Sequence, residues 1–151
     1  MGTTEIIRSA IESRLKTLWV DNSNNPRTPI QYPNVKGLVN VDGSIIDRPP
    51  TDSAWLQLDI LMGPSAIATI GQNGGGQNQC FGTVQLSVMG PKGNGTSALN
   101  LLVDYARAIF NRASFSGLLF RASSLPRQIP DDGCFRMIVN TPFDFYESVT
   151  F

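Results

Sequence analysis

Two stretches of this chain repeat apolar residues at steps of three and four, and nearly everything else alternates or is broken by glycine and proline. From Thr4 to Trp19, Ile6, Ile7, Ala10, Ile11, Leu15, Leu18 and Trp19 fall on one side, while Glu5, Arg8, Glu12 and Lys16 fall on the other. From Thr96 to about Arg112, Leu99, Leu102, Val103, Ala106, Ile109 and Phe110 form a second stripe. Strand-like runs lie between and after them, so the order is helix, strands, helix, strands. A parallel nucleotide-binding sheet needs strands and helices in regular alternation, which this order lacks. The expected fold is α+β, an antiparallel or mixed β-sheet packed against two α-helices.

Thr3 or Thr4 is placed to cap the first helix through its hydroxyl, with Glu5 near the positive end of the helix dipole. Thr96 or Ser97 has the same position before the second. Asp21 to Pro29 is a loop, because its prolines cannot continue a helix. Ile30 to Val41 mixes Tyr32, Val35, Leu38 and Val39 with Pro33 and Gly37, which limits it to short or edge strands. After a connector through Pro49 and Pro50, Trp55 to Leu61 alternates as a strand, and Ala66 to Ile70 continues it past a bulge or edge at Met62-Gly63-Pro64. Gly71 to Gln79 is a polar, glycine-rich tip, and Cys80 to Met89 is the returning strand, so the pair reads as a long protruding β-hairpin. Leu118 to Ala122, a proline-containing connector, and a strand from Cys134 to Thr141 that resumes at Phe143 to Tyr146 complete the chain.

With 151 residues the chain fits one domain, residues 1–151, able to bury roughly 68–70% of its unfolded surface. It contains no histidine, which removes Ser-His-Asp triads, Cys-His dyads and histidine-ligated metals from a single copy. Cys80 and Cys134 are too few for a four-thiolate metal site, and they read as reduced, buried small hydrophobes rather than as a disulfide. No catalytic, cofactor or metal site is therefore expected. Twelve Lys and Arg balance twelve Asp and Glu, so nothing in the net charge draws the chain to nucleic acid or an anionic membrane. An acidic residue near the start and the lack of a membrane-length apolar run argue against a signal peptide or a membrane span, so cytoplasmic assembly is expected.

Three motifs invite chemistry and read better as structure. Gly90-Pro91-Lys92-Gly93-Asn94-Gly95-Thr96 imitates a phosphate-binding loop, but no lysine follows the second glycine of the spacing and Pro91 removes a backbone donor. Asn94-Gly95-Thr96 matches a glycosylation acceptor by chance. Asp131 and Asp132 are adjacent carboxylates, yet Pro130-Asp131-Asp132-Gly133 has the residue types of a tight turn. Trp19 and Trp55 are read as core anchors.

The order of features resembles the bacteriophage tail terminator family, small α+β proteins that form a ring at the head-proximal end of a tail. The resemblance covers most of the chain. It rests on the first helix, Ile30-Gln31-Tyr32-Pro33-Asn34-Val35, Trp55-Leu56-Gln57-Leu58, Gly82-Thr83-Val84-Gln85-Leu86-Ser87-Val88, Gly93-Asn94-Gly95-Thr96 opening the second helix, and Pro142-Phe143-Asp144-Phe145. It implies a non-enzymatic virion protein that caps the tail tube as a ring of six, stops tube polymerisation and gives the neck or head connector a docking surface. Its partners would be further copies of itself, the tail tube protein and the neck protein. Genome DNA would cross the lumen without specific binding, and the neutral balance fits a lumen without a continuous basic stripe.

Partner contacts are expected in two long segments poor in core-forming residues. One is the tip, at Gln72, Asn73, Gly74, Gly75, Gly76, Gln77 and Asn78; the other is Asn25 to Pro50, at Arg27, Tyr32 and Arg48. Replacing Gln72 to Gln77 by a two-residue turn should leave folding intact. Three other readings compete: another phage neck or tail-completion protein, a regulatory binding module with one apolar groove, and a small hydrolase built on converging carboxylates.

Overall fold

The computed structural model describes residues 2–50, 52–70, 75–93, 97–129 and 134–150, and at 64–70, 75–77 and 147–150 it describes the backbone alone. In chain order the elements are α1 (Thr3–Leu18), β1 (Ile30–Gln31), β2 (Leu38–Val39), β3 (Ile45–Ile46), β4 (Trp55–Ile70), β5 (Gly75–Gly90), α2 (Ser97–Phe110), β6 (Ser114–Phe115), β7 (Leu118–Phe120), β8 (Arg127–Ile129) and β9 (Phe135–Thr150). The strands make one sheet in the order β3-β2-β1-β4-β5-β9-β7-β6, with β8 also paired to β9. It is a mixed sheet: β1 runs parallel to β4 and the other pairs are antiparallel. The expected α+β architecture is therefore present.

Both helices lie on one face of the sheet. Ile7, Ile11 and Leu15 of α1 and Leu99, Val103, Ala106, Ile109 and Phe110 of α2 pack with Leu56, Leu58, Val84, Leu86, Val88, Val139 and Phe143 in one core. The strand residues of that core alternate along each strand, as period-two geometry demands. Trp19 closes the end of α1, and its indole Nε1 donates to Thr28 Oγ1 at 3.0 Å, pinning the loop that follows. Trp55 lies on the opposite face with Leu38 and Met89, under the hairpin of β2 and β3. Both tryptophans are core anchors, 1% and 7% exposed.

Several local expectations change. Gly2 is the N-cap of α1, and no side-chain bond caps it; the Ile6 amide bonds the Gly2 carbonyl instead. The α1 stripe is wider than the sheet can cover, so Ile6 and Leu18 at its edges stay exposed. Pro142 does not interrupt β9. The Arg121 amide donates to the Pro142 carbonyl, so the proline's missing N–H would point the same way, just past the end of β7, where no ladder bond is lost. The expected bulge is there, a register shift between Met62 and Ser65. Cys80 lies opposite Phe145, whereas Cys134 precedes Phe135, which pairs with Gly90. Roughly ten strand residues, about 33 Å, separate the two thiols, and no disulfide joins them. The readings of Asn94-Gly95-Thr96 and of Asp131-Asp132 lie outside the described residues.

Candidate functional site

The three longest strands each have 16 residues, about 53 Å of extended chain, whereas the 16 residues of α1 span about 24 Å. The helices therefore cover only part of the sheet's length. Among the described residues the core ends at Cys80 and Phe145, paired neighbours on β5 and β9. Beyond them residues 66–70, 75–79 and 146–150 continue as a three-stranded arm with a reach of about 17 Å.

This arm corrects the reading of the glycine-rich tip. Gly75, Gly76, Gln77 and Asn78 are not loop residues. They belong to β5, the middle strand of the arm, and pair with Thr150, Val149, Ser148 and Glu147 of β9. On the other side Gly76, Gln77 and Asn78 pair with Ile70, Thr69 and Ile67 of β4. Glycine and asparagine disfavour strands, but two ladders of backbone hydrogen bonds outweigh that preference. Replacing Gln72 to Gln77 would thus remove strand as well as turn. Gln72, Asn73 and Gly74 lie outside the described residues.

The other three predicted contact residues do not converge. Arg27 is half-buried, with its guanidinium 3.6 Å from the centroid of the Tyr105 ring, so it clamps the loop after α1 onto α2. Tyr32 is also half-buried and lines a groove of about 370 Å³ with Lys16, Trp19, Val39 and Asp42. Burial is the first cause that pushes its phenol above the ordinary value, and the nearby Glu12 charge is the second. Arg48 is exposed beyond β3. Asp42 sits in the turn between β2 and β3, where the Ser44 hydroxyl and amide donate to its carboxylate and hold its pKa below the usual value.

Two surfaces escaped the sequence reading. Along the outer shoulder of α1 runs a shallow groove of about 580 Å³, lined by Ile6, Ala10, Leu18 and Phe115 with hydroxyls of Ser13 and Thr17. Arg14 borders it, its Nε donating to the Ile109 carbonyl at 2.8 Å and its guanidinium 4.6 Å from the Phe115 ring centroid. The over-wide apolar stripe of α1 was the available signal. The second surface is the side of the sheet beyond β9, where residues 111–129 hold Arg112, Arg121 and Arg127 and no acid. Arg121 Nη2 meets both carboxylate oxygens of Asp144 at 3.1 Å, while Arg112 and Arg127 are exposed. Among the described residues no group of three or more His, Cys, Asp or Glu side chains could hold a metal ion, and no described helix is long and apolar enough to cross a membrane.

No protein-family model matches the sequence, and neither does any curated protein. Twelve solved chains match in structure. One of them, designated only by a sequence identifier that states no function, aligns with a TM-score of 0.61 at 18% identity. The alignment covers 95% of this chain and 96% of that one, so the similarity extends over the whole fold.

Proposed function

We propose that this chain is a ring subunit of the tail-terminator type, a non-enzymatic virion protein that caps the head-proximal end of a tail tube. In this role a ring of six copies stops the tube from growing and offers its free face to the neck or head connector, while genome DNA crosses the lumen without specific binding. The observation that carries the reading is the arm. A three-stranded extension runs about 17 Å beyond the described core. It is stiff enough to reach a neighbour, because its central strand is paired on both sides. A cap needs such a reach. Rotation closes a head-to-tail ring and stops lateral growth, and unlike upper and lower faces stop axial growth.

The test is the native mass of the purified protein, with negative-stain images, alone and with tail tubes added. Six copies of 16.4 kDa give about 98 kDa, and a holed ring of that size, alone or on tube ends, is the expected result. A monomer that ignores the tubes would overturn the reading. The α1 groove favours a second reading, a regulatory module that binds an apolar segment there. That module would be a monomer or dimer whose partner is displaced by Leu18→Glu.

A further inference from the structure

The two lateral sides of the sheet differ in a way that makes them fit each other. On the side of β3, residues 40–53 hold Asp42, Asp47 and Asp52 against the single cation Arg48. Exposed apolar side chains stand among them, Val41 and Ile45, the latter 56% exposed. On the other side, beyond β9, residues 111–129 hold Arg112, Arg121 and Arg127 and no acid; Arg121 is paired with Asp144 of β9 while Arg112 and Arg127 are exposed, and the exposed apolar side chains there are Leu119 and Leu125, the latter 75% exposed. The strand order sets β3 and β6 at opposite ends of the sheet.

We propose that these sides are the two halves of one interface, the β3 side of each copy docking on the β6–β8 side of the next. This rests on the ring reading and names the surfaces that close the ring. Charge decides between the two symmetric possibilities. A two-fold dimer through either side would set arginine against arginine or aspartate against aspartate, whereas a head-to-tail contact sets opposite charges together around apolar centres. Side chains carry the contact rather than strand addition, because β3 and β6 have only two residues each and offer almost no ladder to extend. The pairing also takes the arginine run out of the lumen, where it would retard passing phosphates.

The test uses exposed residues whose side chains make no hydrogen bond or ion pair among the described residues. Arg112→Glu with Arg127→Glu makes one side acidic, and Asp47→Lys with Asp52→Lys makes the other basic. Each double variant should keep the wild-type circular dichroism and melting curve while its assembly weakens at least tenfold in concentration. An equal mixture of the two should restore rings of alternating copies, because every contact then joins unlike charges. The quadruple variant should assemble by itself for the same reason. Wild-type rings whose variants assemble normally would overturn the side-to-side pairing and leave the ring reading standing. Variants that dissociate but are not rescued by mixing would mean that the sides face a different protein, which also overturns it. A wild-type chain that stays monomeric alone and on tubes would overturn the ring reading and the pairing together.

Discussion

Gly82 offers the sharpest test of how the sheet meets its core. It sits on β5 opposite Phe143 of β9, just before the arm begins. A Cβ at this position would stand 2.4 Å from Phe143 Cζ, 2.8 Å from Cε1 and 3.0 Å from the Leu61 carbonyl oxygen. Phe143 is 1% exposed and lies against Phe120, with ring centroids 5.3 Å apart, so its ring has nowhere to swing; the Leu61 oxygen belongs to the β4 backbone. Replacing a strand glycine by alanine ordinarily gains about 0.5–1 kcal/mol through the unfolded chain. Overpacking a filled core costs about 1–3 kcal/mol. The clash should win, so Gly82→Ala should lose about 1–2 kcal/mol and, for a domain of this size, roughly 2–8 °C in Tm. The assay is thermal and urea unfolding followed by circular dichroism, run beside Phe143→Leu and the double variant. Phe143→Leu alone should cost about 1–2 kcal/mol through its cavity, and the pair should cost at least ~1 kcal/mol less than the sum, because leucine vacates the space the new methyl needs. A Gly82→Ala protein at least as stable as wild type, or strict additivity, would refute the close-approach argument.

Thr28→Val should cost about 1–3 kcal/mol in urea unfolding, since it leaves the buried Trp19 indole N–H without its acceptor; an unchanged midpoint would show that this bond does not hold the loop. Arg27→Met keeps the aliphatic stem but loses the charge over Tyr105, and should cost about 0.5–1 kcal/mol in the isolated monomer, whereas a residue kept only for a partner would cost nothing. Tyr32 has a raised pKa, so its contribution to stability is complete below the unfolded value of about 10 and is lost as pH rises through the folded value. Tyr32→Phe should therefore flatten the alkaline loss of stability, measured by urea midpoints from about pH 9 to 11.

Sequence patterns revealed elements whose burial follows a simple period. The α1 stripe, the α2 stripe and the alternation of Trp55 to Leu61 are each dictated by one face meeting one core. They failed where a long-range partner overrides local preference. Gly75 to Asn78 look like a flexible tip until β4 and β9 are both alongside, and Pro142 looks like a break until β7 is seen to end beside it. Arg27 and Tyr32 were singled out because their segment is long and polar, yet both turn inward, Arg27 to a ring on α2 and Tyr32 to the side of the core. The arginine side of the sheet was missed for a related reason. Arg112, Arg121 and Arg127 are spread over 16 residues, and β6, β7 and β8 bring them to one side only when they pair beyond β9.

The open edge of β4 bears on how copies of such a chain can meet. Among the described strands its outer side is paired only at Leu56 and Gln57, by β1, leaving the edge from Leu58 to Ile70 unpaired. An edge of that length is a template for uncontrolled strand addition. Two features blunt it: the register shift between Met62 and Ser65 breaks the straight run of donors and acceptors, and Pro64 within that shift has no N–H to give. In the proposed ring, copies would therefore meet through side chains and strand faces rather than along this edge. The same holds at the ends of the sheet, where two-residue strands replace long ones. Assembly specified by side chains can be reversed by exchanging charges, whereas assembly specified by backbone ladders cannot. Rescue by mixing oppositely charged variants is therefore the outcome that separates this architecture from one built by strand exchange.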